Sequence, residues 1–170
     1  MIFAIDPGNE QSAWCIMSKD YRLLDFDKEP NKDVMAVLCN RLQNTETVIS
    51  LIDNVVIERV ASYGMPVGRE VFETCEWIGR FAQEAEKLTT VNYIYRKDEK
   101  LYICHDSRAK DANIRAALIE RFAKHDLKNG RGTKQNPDYF YGVKADIWAA
   151  ISVAVTFLDM QREKQMKSGD

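Results

Sequence analysis

Three acidic residues occupy comparable places in the sequence, each beside a segment with the pattern of a buried strand or helix. Asp6 ends the N-terminal apolar run, Glu58 ends a second apolar run, and Asp146 lies in the first turn of the last predicted helix. Clustered carboxylates repel one another unless a cation joins them, and Mg²⁺ is a hard ion that takes oxygen ligands. Two such ions can activate a water molecule and stabilise the leaving oxygen of a phosphodiester. The three acids therefore suggest a metal site for phosphodiester chemistry.

Each acid taken alone also has an ordinary structural explanation. Asp6 precedes Pro7 and Gly8, and aspartate is a common turn former in such a sequence. Glu58 could form an ion pair with Arg59 at the end of its strand. Asp146 could stabilise a helix N-terminus through the helix dipole. The residue types and spacing alone leave these alternatives open.

The predicted elements alternate in a way that would position the acids. Strands are predicted at 1–5, 12–18, 21–27, 54–58, 91–95 and 101–104, and helices at 31–41, 68–88, 111–124 and from 143 through 159. The first three strands form an antiparallel meander, and the wholly apolar fourth suits a central strand buried on both faces. If the first and fourth strands are neighbours, their ends bring Asp6 and Glu58 together. The order predicts an α/β fold with a mixed central sheet flanked by helices.

The composition is that of an ordinary globular domain. The chain has 170 residues, of which 45% are hydrophobic and 29% are charged, and we expect one domain over 1–170 with a charged tail from about 160. The formal net charge of −2 is unusual for a nucleic-acid-binding protein, although basic residues cluster between 96 and 134. What matters for binding is how the charge is distributed over the surface.

The cysteines and the apolar segments predict a cytoplasmic protein without membrane contact. No apolar stretch is long enough to span a bilayer, and the N-terminus lacks the basic segment of a signal peptide. The four cysteines have no CxxC spacing and lie in apolar runs, so we expect buried, reduced thiols. They are Cys15, Cys39, Cys75 and Cys104.

Three segments resemble the acidic motifs of a known family. These segments resemble the motifs of the RuvC family, whose members are Holliday junction resolvases with an RNase H-like fold. The three segments are IFAIDPG at 2–8, VVIERV at 55–60 and KADIWAAISVAV at 144–155. Segments 58–81, 108–122 and 134–143 look closer still to the RuvC-like resolvases of bacteriophages and prophages. The resemblance extends from Ile2 to about Phe157 and would place the protein in a bacterial host cell.

The resemblance implies a catalytic role for four residues. Asp6, Glu58 and Asp146 match the family's metal-binding acids, with Mg²⁺ or Mn²⁺ as the cofactor. Lys100 matches an active-site lysine on the strand beside the acids, where it would offset phosphate charge in the transition state. A solvated charge in the turn at 98–100 is the alternative for this lysine.

The chain departs from the family pattern at one position. RuvC proteins commonly carry a fourth acid or a histidine one helical turn before the last aspartate, and Val143 stands there in this sequence. Asp138 lies too early for the same helical face. The second metal site is therefore in question. His105 and His125 do not match the motif, and we expect both at the surface or at an edge.

The resemblance further implies a homodimer, joined through the helix at 68–88, that grips a four-way DNA junction. Gly130 and Gly132 would let a loop backbone approach phosphates closely. A tip made of Tyr63, Met65 and Pro66 would wedge against unstacked bases, or would instead pack under the long helix. The predicted DNA-binding residues are Tyr63, Arg69, Arg108, Lys110, Arg115, Arg131 and Lys134.

Four functions are compatible with these features to different degrees. The leading prediction is a crossover junction endodeoxyribonuclease, a metal-dependent enzyme cleaving Holliday junctions and other branched DNA. An RNase H-like nuclease acting on RNA shares the fold, and a non-catalytic junction-binding module would explain the missing fourth acid. A sugar-kinase or actin-like ATPase needs a second phosphate loop and usually a far longer chain, and the sequence provides neither.

Overall fold

The structure is a computed structural model that describes residues 1–43, 52–62, 64 and 66–168. Within these ranges the chain forms five strands and five helices. The strands are β1 (Ile2–Asp6), β2 (Gln11–Met17), β3 (Leu23–Pro30), β4 (Asn54–Arg59) and β5 (Thr90–Tyr95). The helices are α1 (Asn31–Gln43), α2 (Arg69–Ala85), α3 (Arg96–Cys104), α4 (Asp111–Phe122) and α5 (Ile147–Ser168).

The strands form a mixed sheet in the order β3-β2-β1-β4-β5. Strands β1, β2 and β3 are an antiparallel meander, and β4 lies parallel to both β1 and β5. Ile5 of β1 pairs with Ile57 of β4, so the next residues, Asp6 and Glu58, lie at the same edge of the sheet. This confirms the predicted mixed sheet and the neighbouring first and fourth strands.

Each face of the sheet carries its own hydrophobic core. Ala4 and Val56 point to the face covered by α4 and α5, whereas Phe3, Ile5 and Ile57 point to the face covered by α1 and α2. The side chains alternate because successive residues of a strand point to opposite faces of the sheet. Because both faces are covered, β1 and β4 must be apolar throughout, which explains why their sequence pattern was so clear.

Helix α5 begins later than predicted. The backbone before it turns through positive φ at Gly142 (83°) and Ala145 (46°), so a continuous helix from Val143 is impossible. The carbonyl of Asp146 accepts hydrogen bonds from the backbone N–H groups of Ala149 and Ala150. Asp146 is therefore the residue that caps the start of α5, immediately before the first helical turn.

The predicted strand at 101–104 is wrong, because these residues belong to helix α3. At the start of the helix, the backbone N–H of Tyr95 donates a hydrogen bond to the carboxylate of Asp98 at 3.2 Å. Acidic residues in the first turn also interact favourably with the helix dipole. His105, with φ of 55°, ends the helix in the left-handed conformation. The short apolar run 101–104 is thus one side of a helix and not a strand.

The cysteines are all free, but only one of them is fully buried. Cys15 lies in the core, Cys39 and Cys104 are half-buried, and Cys75 is exposed on α2, contrary to the prediction of four buried thiols. Cys75 lies outside the buried residues through which α2 packs on the sheet, which are Ile78, Phe81, Ala82 and Ala85. None of the helices in the described ranges combines the length and apolar character needed to cross a bilayer.

Candidate active site

Asp6 and Glu58 come together at the adjacent ends of the parallel strands β1 and β4. Their carboxyl groups lie close enough to share a hydrogen bond. Burial and the charge of Glu58 hold the pKa of Asp6 well above its usual range, and the charge of Asp146 adds to the effect. Burial also raises the pKa of Glu58, against the lowering effect of Arg96. When both are ionised, the two half-buried carboxylates therefore repel each other.

Asp146 lies near this pair but is engaged by a different partner. Its side chain is 54% exposed, and its Oδ2 lies 2.5 Å from Nζ of Lys28. Lys28 on β3 pairs with Ala13 on β2, which in turn pairs with Asp6 on β1. The lysine therefore stands in the same row across the sheet as Asp6. This position follows from the strand register, which a sequence pattern does not give.

The pair of carboxylates suits a hard divalent ion, because a cation would relieve the repulsion between Asp6 and Glu58 and its preferred ligands are oxygens. Among the described residues, no group of three histidine, cysteine, aspartate or glutamate side chains is already arranged to hold a metal. Asp146 would complete such a group on leaving Lys28. Asp6 and Glu58 are thus the two candidate ligands that the fold brings together, and Asp146 is the third candidate ligand.

Arg96 and Glu99 are site residues that the sequence did not reveal. Arg96 Nη1 lies 2.5 Å from Glu99 Oε2 and 4.0 Å from Glu58 Oε2, and its Nη2 lies 2.8 Å from Asp111 Oδ1. Glu99 is completely buried, and Ser152 of α5 donates a hydrogen bond to it. Arg96 and Glu99 are three residues apart on α3 and so share one helix face. That spacing was the available signal, but the sequence predicted a charged turn between two strands at 96–100 and not a helix.

The acids around Arg96 keep its guanidinium protonated. Burial tends to lower the pKa of the Arg96 guanidinium, but the charge of Glu99 and the hydrogen bond to Asp111 outweigh it and raise the pKa. Burial, followed by the charge of Glu58, raises the pKa of Glu99, and Arg96 opposes that rise. The arginine is therefore a permanent cation among acids at the edge of the candidate site.

Lys100 lies on helix α3 and not on a strand, one residue beyond Glu99. It is half-buried and forms no ion pair with Asp6, Glu58 or Asp146. The predicted strand position beside the acids is thus corrected. The catalytic role of Lys100 stays a prediction.

Val143 and Asp138 cannot supply the fourth metal ligand. Val143 is 1% exposed and packs in the core between the sheet and α5. Asp138 is buried, and burial alone would raise the pKa of its carboxyl, but backbone N–H donors hold that pKa far below its usual range. The carboxylate accepts hydrogen bonds from the N–H groups of Lys124, His125, Asp126 and Tyr139.

The two glycines of the loop 124–139 are required by the conformation and the close packing of the loop. Gly130 and Gly132 have φ of 70° and 66°. A Cβ on Gly130 would lie 2.7 Å from Cδ2 of Phe140, and one on Gly132 would lie 2.3 Å from the carbonyl oxygen of Asn136. Gly130 is also buried, so the expectation that it lets the backbone approach phosphates is wrong. Both glycines are explained by close internal packing.

The predicted DNA-binding residues differ in how they are held. Arg115 on α4 is half-buried, with its guanidinium 4.8 Å from the ring centre of Trp148, two residues beyond Asp146. Arg69 is 90% exposed beside Glu73, and Arg108 is 93% exposed. Among the predicted DNA-binding residues, Arg115 therefore contacts the first turn of α5, close in sequence to Asp146.

The remaining candidates lie at the surface or outside the described residues. Lys110 immediately precedes α4 and Lys134 lies in the loop 124–139, and both are exposed, whereas Arg131 is half-buried. Tyr63 and Met65 lie outside the described residues, while Pro66 is exposed. The two histidines, His105 and His125, are exposed, as predicted.

Solved structures that match nearly the whole chain include two of RuvC and one of a yeast resolvase. RuvC from Thermus thermophilus has 15% identity and a TM-score of 0.63, with 96% of each chain covered. T. thermophilus RuvC in complex with a Holliday junction substrate has 15% identity and a TM-score of 0.58, covering 96% of this chain and 95% of that one. The yeast mitochondrial Holliday junction resolvase Ydc2 has 14% identity and a TM-score of 0.56, covering 97% and 80%.

No family model and no curated protein matches the sequence. At 14 to 15% identity the structural likeness establishes the fold. The five-stranded mixed sheet with helices on both faces is an RNase H-like α/β fold of the kind found in RuvC and Ydc2, and the predicted fold class is confirmed.

Proposed function

We propose that this protein is a metal-dependent endonuclease that cleaves Holliday junctions and other branched DNA by phosphodiester hydrolysis. The observation that carries the proposal is the meeting of the Asp6 and Glu58 carboxylates at the ends of β1 and β4, with Asp146 beside them. The similarity in fold to two Holliday junction resolvases supports it, and one of these was solved with a junction substrate.

In this proposal Asp6 and Glu58 would hold Mg²⁺ or Mn²⁺, with Asp146 as a third ligand once it is released from Lys28. When bound, the metal would supply Lewis-acid stabilisation and would lower the pKa of the attacking water. The protein's own cations then act on the phosphate: Lys28, once released, lies in the row of Asp6, and Lys100 lies on the adjacent helix. These groups would offset charge that develops in the transition state.

Contacts to the DNA backbone would come from the predicted basic residues around the site. Arg115 is held over Trp148 and so has a fixed direction, whereas Arg108 and Lys110 extend from the exposed segment before α4. Because each phosphate contact releases counterions, junction affinity should fall steeply as salt rises. The other predicted contacts are Tyr63, Arg69, Arg131 and Lys134.

The outer face of α2 supports the proposed homodimer. Phe72 is 61% exposed, and Cys75 and Gly79 line a groove together with Val60 and Tyr93. An exposed apolar strip of this kind is typical of an interaction surface. A two-fold dimer through α2 would present two active sites to two symmetry-related strands.

Gly79 offers a direct test of the dimer. Apart from its chain neighbours and the backbone of its own helix, no described atom lies within 4 Å of the place where its Cβ would lie, so the isolated protomer has room for a larger side chain. Gly79→Glu should therefore leave the fold intact and place a charge in the interface. Sedimentation velocity should show a dimer for the wild type and for Met166→Glu, a control on the exposed tail of α5, and a monomer for Gly79→Glu. A Gly79→Glu dimer would exclude this interface.

A non-catalytic junction-binding module is the second candidate. It is favoured by Val143, which replaces a ligand with a buried apolar side chain, and by the ion pair that engages Asp146. This candidate predicts tight binding to junctions with no cleavage in any divalent metal.

One experiment separates these functions and the possible substrates. The purified protein is incubated with matched labelled substrates, namely an immobile four-way junction, a flap and an RNA duplex, with Mg²⁺, with Mn²⁺ and with chelator. The proposal predicts metal-dependent, paired nicks in the junction, and weaker cutting of the flap. Cleavage of the RNA duplex alone would indicate a ribonuclease, and binding without cleavage would indicate the non-catalytic module.

A further inference from the structure

The turn that follows Asp6 is held from the interior by Asn31, the first residue of α1. The Nδ2 atom of Asn31 donates hydrogen bonds to the carbonyl oxygens of Gly8 at 2.9 Å and of Asn9 at 3.1 Å. The backbone N–H of Asn31 donates to the carbonyl oxygen of Glu10 at 3.0 Å. One residue of α1 therefore fixes three successive carbonyl groups of this turn.

Ser12 on β2 completes the network from the far side of the turn. Its hydroxyl donates to Oδ1 of Asn31 at 2.6 Å and accepts a hydrogen bond from the backbone N–H of Gly8 at 3.2 Å. Ser12 is 1% exposed and Asn31 is 2% exposed, and each polar atom of the two side chains has a partner. A buried polar network that is fully satisfied makes its surroundings rigid. We call the pair the Ser12–Asn31 clamp.

The turn at 7–10 has little freedom of its own. Pro7 restricts its φ to one narrow range. A Cβ on Gly8 would lie 2.3 Å from the carbonyl oxygen of Gln11, so the turn is packed closely against its own backbone. The chain that leaves Asp6 therefore reaches β2 by a single, well-defined path.

Asp6 needs this support because the sheet does not hold it against Glu58. The register of β1 with β4 ends at Ile5, the residue before Asp6, whereas Glu58 is held by its pairing with β5. Asp6 pairs with Ala13 on β2, the neighbour of Ser12. When both carboxylates are ionised they repel each other, and a loose turn would let them separate. The clamp opposes that separation in the absence of any metal.

We propose that Ser12 and Asn31 are positioning residues that hold the carboxylate of Asp6 beside Glu58, so that the site for a divalent ion is formed before the ion arrives. This inference rests on the proposed metal-dependent function. The hydrogen bonds of the clamp go to the turn and to each other, so both residues act on Asp6 through the backbone. Groups that orient metal ligands in this way commonly change metal affinity by about 10- to 100-fold.

The first test is the Mn²⁺ affinity of the full-length, metal-free protein, measured by isothermal titration calorimetry. Ser12→Ala removes the hydroxyl and should bind Mn²⁺ about tenfold more weakly than the wild type. Asn31→Ala releases two carbonyl groups of the turn and should bind it about 30-fold more weakly. Because the two side chains belong to one network, the double variant should bind Mn²⁺ about as weakly as Asn31→Ala alone.

Ser18→Ala is the matched control, because Ser18 lies just beyond the other end of β2 and closes a turn in a similar way. It is 9% exposed, and its hydroxyl donates to Asp20 and accepts from the backbone N–H of Arg22. Ser18→Ala and Ser12→Ala should both lower the melting temperature by a few degrees, because each loses buried hydrogen bonds. Ser18→Ala should nevertheless bind Mn²⁺ with wild-type affinity.

The dependence of junction cleavage on Mn²⁺ concentration separates positioning from catalysis. A bound ion itself draws Asp6 and Glu58 together, so a weakened clamp matters most when metal is scarce. Ser12→Ala should therefore need about tenfold more Mn²⁺ for half-maximal cleavage of the four-way junction. At saturating Mn²⁺ its rate should lie within about threefold of the wild-type rate, because the groups that contact the phosphate are intact.

Wild-type Mn²⁺ affinity in Ser12→Ala would overturn the inference, whether or not Asn31→Ala folds. An equal loss of Mn²⁺ affinity in Ser18→Ala would also overturn it, because the effect would then be one of general stability. If the wild type binds Mn²⁺ and the clamp variants weaken that binding, but no branched DNA is cut, the inference stands and the proposed nuclease function fails. A wild type that binds no Mn²⁺ would refute both.

Discussion

Asp6 and Asp138 are both largely shielded aspartates, and they occupy opposite electrostatic surroundings. Asp6 faces Glu58, and burial together with that charge raises its pKa. Asp138 faces only donors, and four backbone N–H groups lower its pKa in spite of burial. Backbone donors fully satisfy the carboxylate of Asp138, whereas at the ends of β1 and β4 the carboxylates outnumber Arg96, the cation that the structure describes beside Glu58. The difference indicates that a carboxylate pair left in repulsion is kept for a ligand, because the fold itself gains no stability from it.

The comparison predicts its largest effect at Asp6. Asp6→Asn should reduce metal-dependent junction cleavage about 1,000-fold, because a metal ligand is lost. The melting temperature should stay the same or rise, because the variant removes the charge that burial and Glu58 make unfavourable. Cleavage kinetics and thermal denaturation of the same preparation check both parts. A marked fall in melting temperature would show that Asp6 is a structural residue.

Asp138→Asn should behave in the opposite way. An amide accepts fewer of the four N–H hydrogen bonds, so the melting temperature at neutral pH should fall by several degrees. The folded-state pKa is depressed, so the stabilisation is present above the unfolded pKa of about 3.9 and is lost as pH falls further. Urea unfolding at pH values from 7 to 3 should therefore show a full gap between wild type and variant at pH 7 that narrows in acid. A gap that is independent of pH would contradict the assignment.

Gly130 in the same loop and Gly142, which lies between the loop and α5, offer a matched pair of glycine substitutions. Gly130→Ala should lower the free energy of unfolding by about 2–4 kcal/mol, since the left-handed backbone and the contact with Phe140 are both unfavourable for a Cβ. Gly142→Ala should cost only about 1–2 kcal/mol, because φ is also positive but the nearest atom of Phe26 lies at an ordinary 3.5 Å. Equal losses in urea denaturation would mean that the packing of Gly130 contributes nothing.

The smallest effect is expected at Lys28. Lys28→Met removes the partner of Asp146, so Mn²⁺ should bind about threefold to fivefold more tightly, because no lysine competes for the carboxylate. Arg41→Met, which breaks the similarly exposed ion pair with Asp25, is the control and should leave Mn²⁺ affinity unchanged. Calorimetric titration measures both. Weaker binding in Lys28→Met would show that Asp146 does not join the metal.

The central strands and the acids at their ends were predictable because burial on both faces leaves an unmistakable sequence pattern. Strands β1 and β4 are continuous apolar runs, and Asp6 and Glu58 mark the points where those runs end. The start of α5 was predicted four residues too early, because the positive φ of Ala145 has no signature in the residue type.

The charged half of the site could not be predicted, because it depends on tertiary contacts. Arg96 and Glu99 form an ion pair only when α3 is a helix, and Glu58 and Asp111 reach the same arginine from distant segments. Lys28 meets Asp146 across 118 residues of sequence. The sequence spacing already argued against Asp138 as a ligand, but only the structure shows that backbone donors occupy its carboxylate.

The central claim is that Asp6 and Glu58 together hold the metal that cleaves branched DNA. The most direct measurement compares the wild type with Glu58→Gln for Mn²⁺ affinity by calorimetry and for nicking of an immobile four-way junction. The account predicts that the variant folds and binds the junction, but loses most of its Mn²⁺ affinity and its paired nicks. Unchanged metal-dependent nicking by Glu58→Gln would contradict it.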